Sequence, residues 1–179
     1  MEVTAQAVKD LREKTGAGFK DCQNALRETN GDVKAAMGWL NERGLKKAEK
    51  VTGREAKQGL VVSYVHQDRI GALVEISCET DFVARTEDFQ TLAKSIAQQV
   101  AAVGPTYIML SDVPPEVLSE KQGEMDEAGL KRWYEESVLM EQALIRDPKQ
   151  KVSDLIVQAK AKLGENILVR RFTRYELGK

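Results

Sequence analysis

The spacing of apolar residues changes at Gly59, and no single class of secondary structure suits both sides of the change. Before Gly59, apolar side chains recur every three or four residues in short runs separated by glycine. After it, Leu60-Val61-Val62-Ser63-Tyr64-Val65 is β-branched and aromatic, Gln67-Asp68-Arg69 reads as a turn, and Ile70 to Cys78 is strand-like again. A helical segment followed by a β-hairpin, with further helices beyond, predicts an α+β chain.

In the first part, Ala5, Val8, Leu11 and Thr15 make one stripe with Thr4 as cap and Glu2 and Asp10 among the polar positions. Gly16-Ala17-Gly18 breaks it. A second stripe of Phe19, Cys22, Ala25, Leu26 and Thr29 ends at Asn30-Gly31, and Asp32 opens a third of Val33, Ala36, Met37 and Leu40, with Gly44 where a terminating glycine belongs. Residues 1–44 therefore read as a three-helix bundle that presents a surface. Residues 45–58 are basic and poor in apolar side chains, which suits a linker, helical in part. A nucleic-acid arm is the rival reading, but no aromatic side chains are interleaved and glutamates oppose the lysines.

Beyond the hairpin, Phe89, Leu92, Ala93, Ile96, Ala97 and Val100 predict a helix capped by Thr86 that stops before Gly104-Pro105. After Pro114-Pro115, Leu130, Tyr134 and Val138 predict one long helix, weakened early by Gly123 and Gly129. Ser153 is placed to cap a helix over Asp154 to Leu163, Gly164 to close it, and Asn166 to Glu176 reads as a third strand. Residues 59–179 are thus expected to form a core in which a three-stranded antiparallel sheet packs on helices.

Charge and chemistry narrow the function. The chain carries 27 Lys and Arg against 28 Asp and Glu, so counterion release offers no general nucleic-acid affinity and no direct nucleic-acid role is expected. The balance is uneven along the chain: residues 58–148 hold 7 basic and 16 acidic side chains between two net-basic ends. Two cysteines, Cys22 and Cys78, and one histidine, His66, cannot assemble an ordinary zinc site, and both cysteines fall on apolar faces as small core residues. His66, beside the hairpin turn, reads as solvated. Phosphate-binding, nucleophile and metal-helix motifs are absent, so no cofactor and no enzymatic activity are expected; a hydrolase built from scattered carboxylates is the weaker rival. No apolar run approaches the roughly 18 residues of a spanning helix, and neither a membrane role nor secretion finds support; a cytoplasmic protein is the expectation.

One segment resists the reading as an ordinary solvated loop. Cys78-Glu79-Thr80-Asp81-Phe82-Val83-Ala84-Arg85 sets an acid beside two apolar side chains where the chain leaves the sheet. Either Phe82 and Val83 fold back as a hydrophobic staple, with Thr80 or Thr86 capping, or Asp81 and Phe82 project as a wedge toward a partner.

That segment, together with Leu11-Arg12-Glu13-Lys14-Thr15-Gly16-Ala17-Gly18 and Asp21-Cys22 followed by Ala25-Leu26, closely resembles the two signature stretches of bacterial translation elongation factor Ts. Gly164-Glu165-Asn166-Ile167 and Arg170-Arg171-Phe172 extend the similarity over nearly the whole chain. The resemblance implies a guanine nucleotide exchange factor that binds elongation factor Tu and speeds GDP release without binding nucleotide itself. It implies that the bundle is similar to ubiquitin-associated (UBA) domains and docks through Leu11, Arg12 and Phe19. It further implies that Thr80, Asp81, Phe82 and Val83 form the wedge that enters the GTPase near its magnesium and phosphate site. Lys20 departs from the family, where a second apolar residue is frequent. Because the resemblance is to the short form, with a single core, a homodimer binding two partner molecules is expected. A UBA-like adaptor without exchange activity is the alternative, and it leaves Asp81 and Phe82 without a role.

Overall fold

A computed structural model describes residues 3–179; Glu2, counted above among the polar positions of the first helix, lies outside the described residues. Helix α1 spans Ala5–Thr15, with the Thr4 hydroxyl accepting from the Ala7 amide. Helix α2 spans Phe19–Glu28, and α3 runs over Val33–Val51 behind Asp32, whose carboxylate accepts from the Ala35 amide at 3.0 Å. Val8, Leu11, Cys22, Ala25, Leu26 and Ala36 close the small core between them, with Trp39 and Leu40 at its margin.

Gly44 does not end the third helix. It stays helical, and α3 continues through the segment expected to be a linker as far as Val51. The reason lies in the neighbouring element: α3 packs along α8 (Val152–Leu163), where a Cβ built on Gly44 would make an ordinary contact with the Ala161 side chain at 3.6 Å, and that packing carries the helix past its glycine. Ala48 and Val51, farther along α3, are buried. One continuous helix therefore belongs to the bundle at one end and packs on the core at the other.

Strands β1 (Gln58–His66) and β2 (Ile70–Cys78) pair antiparallel with Val62 opposite Val74, and β3 (Leu168–Glu176) pairs antiparallel with the other side of β2. Gln67, Asp68 and Arg69 join His66 to its partner Ile70, and Gln67 and Asp68 both take positive φ, the handedness that suits the twist of the flanking strands. The pairing of β2 with β3 shifts between Glu75 and Ile76, and the extra residue, Arg170, sends its guanidinium to the Ala56 carbonyl at 2.7 Å, tying the end of the former linker to the sheet.

One sheet face is covered by α5 (Glu87–Val103), capped by Thr86, and α8 packs against α5 and α3. Val74, Ile76, Cys78, Phe89, Ile96 and Ile156 belong to this core. The single long helix expected after Pro115 is two, α6 (Pro115–Glu124) and α7 (Glu127–Ser137). The break falls at Met125-Asp126, where Asp126 accepts from the Gly129 amide at 2.7 Å and starts a new helix. Neither glycine interrupts the chain. Helix α8 is likewise begun by Asp154, whose carboxylate accepts from the Lys151 amide at 2.9 Å, in place of Ser153. The fold is α+β, a helical bundle followed by a three-stranded antiparallel sheet on helices. No helix among the described residues is long and apolar enough to cross a membrane.

Candidate functional site

The segment that leaves β2 forms a single helical turn, α4 (Asp81–Ala84), before α5 begins. Thr80 sits in extended backbone and its hydroxyl accepts from the Val83 amide at 3.3 Å, so the residue that ends the strand also caps the turn. Thr86 then accepts from the Phe89 amide and donates to the Val83 carbonyl at 2.7 Å. Two threonine caps six positions apart leave the backbone between them little freedom.

Held this way, the two apolar side chains separate. Val83 is 6% exposed and packs in the main core with Ala84, while Phe82 is 78% exposed. The staple reading holds for Val83 and fails for Phe82. Burying a phenylalanine is worth about 1.5–3 kcal/mol, a gain that Phe82 forgoes in the isolated chain. Asp81 lies on the same exposed side, and its carboxylate accepts from the Arg85 guanidinium at 3.1 Å in a solvent-facing ion pair.

Beneath α4 the chain is tied down by residues from the far end of the sequence. Glu165, just past α8, accepts from the Glu79 amide at 3.0 Å, the Thr80 amide at 3.1 Å and the Thr80 hydroxyl at 2.6 Å. The Glu79 carboxylate in return accepts from the Asn166 amide at 2.6 Å. Cys78 is buried, and its thiol donates to the Thr80 carbonyl at 3.1 Å. Burial, reinforced by the nearby Glu165 charge, pushes that thiol up from 9.0 to about 11, which suits a core residue and not a nucleophile. Reading the residues alone gave Glu79 and Glu165 no role in this site. The one local signal was Gly164-Glu165-Asn166 at a helix end, and its destination lies in another part of the chain.

The residues expected on the bundle do not form one surface. Phe19 is 52% exposed at the start of α2, and Arg12 and Lys20 are exposed. Leu11 is wholly buried among Val8, Cys22 and Leu26. It lies on the inner stripe of α1, so the exposed surface here is offered by Arg12 and Phe19 and not by Leu11. Val83 is likewise turned into the core, beneath the exposed Phe82. The His66 ring hydrogen-bonds to the Tyr64 hydroxyl at 3.0 Å, and both are hairpin side chains. Among the described residues no cluster of three His, Cys, Asp or Glu could hold a metal ion.

A family model described as elongation factor TS matches residues 2–129. An elongation factor Ts of Caldanaerobacter subterraneus is 49% identical, with 98% of this chain and 97% of the relative aligned. Those of Thermodesulfovibrio yellowstonii and Coprothermobacter proteolyticus are each 46% identical over 99% of this chain, covering 98% and 100% of their own lengths.

Proposed function

The chain belongs to the elongation factor Ts family, and on that premise we propose that it is a guanine nucleotide exchange factor that binds elongation factor Tu in its GDP-bound form and promotes GDP release during protein biosynthesis. The observation that carries the reading is Phe82, an exposed aromatic on a turn whose backbone is fixed at both ends. An aromatic already held in place loses little freedom on docking, so its burial in a partner translates into binding free energy.

In this reading Phe82 fills a crevice that the GDP-bound GTPase keeps closed. Exchange factor and nucleotide then favour different conformations of the same partner, and each weakens the binding of the other by the same factor. The wedge need not touch the nucleotide. Displacing the partner's magnesium-bearing loop is enough to weaken the hold on the phosphates, and Asp81, brought there on the same turn, adds a negative charge close to them. Phe19 and Arg12 on the UBA-like bundle supply a second docking point. The protein acts in the cytoplasm, where translation takes place, and not as an enzyme.

A homodimer completes the proposal. The sheet face turned away from α5 carries Val61, Val65, Leu73 and Tyr175, all exposed. A second copy laid on that face buries them in both chains and gives a complex with two partner molecules.

The test is the release of fluorescent GDP from elongation factor Tu. The wild-type chain is expected to accelerate release, and Phe82→Ala to bind the GTPase while losing most of the acceleration. A Phe82→Ala protein that binds and accelerates like the wild type rules the wedge out.

A further inference from the structure

We propose that Glu165 is a positioning residue for exchange, a carboxylate that sets the orientation of the Phe82 wedge from the opposite end of the chain. The inference rests on the reading of α4 as the exchange wedge. Its basis is the way every polar atom of Thr80 is engaged. The Thr80 amide and hydroxyl both donate to Glu165, at 3.1 and 2.6 Å, and the Thr80 carbonyl accepts from the Cys78 thiol and the Ala84 amide.

The hydroxyl contact decides the cap. A threonine hydroxyl has one proton and two lone pairs. With its proton committed to Glu165, the lone pairs are left to accept from the Val83 amide at 3.3 Å. The relay runs from Val83 through Thr80 to Glu165, and it fixes which way the first turn of α4 winds and therefore where Phe82 points. Thr80 by itself could rotate about χ1 and release the cap; the carboxylate removes that freedom.

The carboxylate has no competing partner. It enters no ion pair among the described residues, and its two oxygens are met by three donors from the Glu79-Thr80 arc. The Glu79 carboxylate returns the tie through the Asn166 amide, and the Asn166 side chain donates to the Arg54 carbonyl at 2.7 Å. The same cross-link thus joins the strand end, the loop before β3 and the turn after α3. Three charge-assisted bonds aimed at two residues are more than a loop needs for anchorage: two hold the backbone amides that launch the wedge and the third holds the hydroxyl that caps it.

The experiment measures fluorescent-GDP release from elongation factor Tu across a range of exchange-factor concentrations, together with amide hydrogen exchange at Val83. For Glu165→Ala we expect the limiting release rate to fall roughly tenfold or more, with a smaller change in the half-saturating concentration, because a displaced wedge still docks but no longer fits. Protection of the Val83 amide falls in the same variant. In a Phe82→Ala background the Glu165→Ala change adds no further loss, since it acts through the wedge. Thr80→Val, which removes the relay and leaves both backbone bonds to Glu165, gives the same pattern more weakly and serves should Glu165→Ala fold poorly. Wild-type release by a folded Glu165→Ala chain, unchanged Val83 protection, or losses that add fully to those of Phe82→Ala would each overturn the proposal. A fully active Phe82→Ala chain removes the wedge reading itself, and the positioning role with it, whereas Val83 protection still reports whether the clamp exists.

Discussion

Phe82 and Val83 are adjacent in the chain and lie at opposite extremes of exposure, 78% and 6%. One helical turn divides them: Val83 closes the core under the end of β2 and Phe82 stands in solvent. Their truncations should separate function from stability. Val83→Ala is expected to lower unfolding free energy by about 2 kcal/mol through lost burial and a residual cavity. Phe82→Ala should stay within about 0.5 kcal/mol of wild type, as an exposed substitution does. Urea unfolding of both, beside the release assay, checks the division; equal destabilisation by the two would mean that Phe82 is packed in solution.

The start of the hairpin makes a second prediction. Gly59 has φ 144°, and a Cβ there would be driven into the Ile76 carbonyl oxygen and lie 2.7 Å from the Ser77 Cα, backbone atoms of the central strand that cannot move aside. Gly59→Ala should cost about 3 kcal/mol, combining strain with a displaced strand pair. Gly123, in α6 with open space around it, is the control: Gly123→Ala should be neutral or stabilise by up to about 1 kcal/mol. Chemical denaturation of the two variants measures both, and tolerance of alanine at position 59 would contradict the strand register.

A third prediction concerns alkaline pH. The Cys78 thiol ionises near 11 in the folded chain against 9.0 ordinarily, because burial and then the Glu165 charge oppose the thiolate. The folded state holds this proton more tightly than the unfolded one. The associated stability is complete below about pH 9 and is lost as pH rises toward about 11. Unfolding free energy should therefore decline over that window, and Cys78→Ala should flatten the decline. At pH 8 the native thiol should resist alkylation by iodoacetamide. Rapid modification of Cys78 under native conditions would show that the base of the wedge opens readily.

What the amino-acid order disclosed follows the range of the interactions involved. Thr4, Asp32 and Thr86 were legible as caps because each bonds within three residues of itself. The turn at Gln67-Asp68 was legible for the same reason. Gly44 was not, since a glycine reads as a terminator until α8 is known to pack along the helix that runs through it. The break at Asp126 was masked by two nearby glycines that suggested a weak helix instead of two helices. In the site, the composition of the Thr80 to Val83 stretch marked it as unusual. Which of its apolar residues turned inward depended on the phase of a four-residue helix over a core not yet known. Leu11 and Arg12 show the same limit, adjacent in one signature yet buried and exposed respectively. Glu165 stands in a stretch that resembles the family, but its reach to Thr80 is a property of the fold.

The uncovered sheet face supports the last prediction. Across the strands, Val65, Gly71 and Tyr175 form one row, Ser63, Leu73 and Thr173 the next, and Val61, Glu75 and Arg171 a third. Leu73 is central, on the middle strand, and 45% exposed in the single chain. In a twofold interface one substitution acts twice, and each buried leucine contributes about 1.5–3 kcal/mol. Leu73→Asp should therefore weaken self-association by at least roughly a hundredfold. It should leave the covered core intact, because Leu73 points away from α5. Analytical ultracentrifugation at micromolar concentration should find the wild type as a dimer and Leu73→Asp as a monomer with a retained thermal transition. A wild-type chain that sediments as a monomer while releasing GDP at its full rate would show that a single copy suffices and that this apolar face has another use.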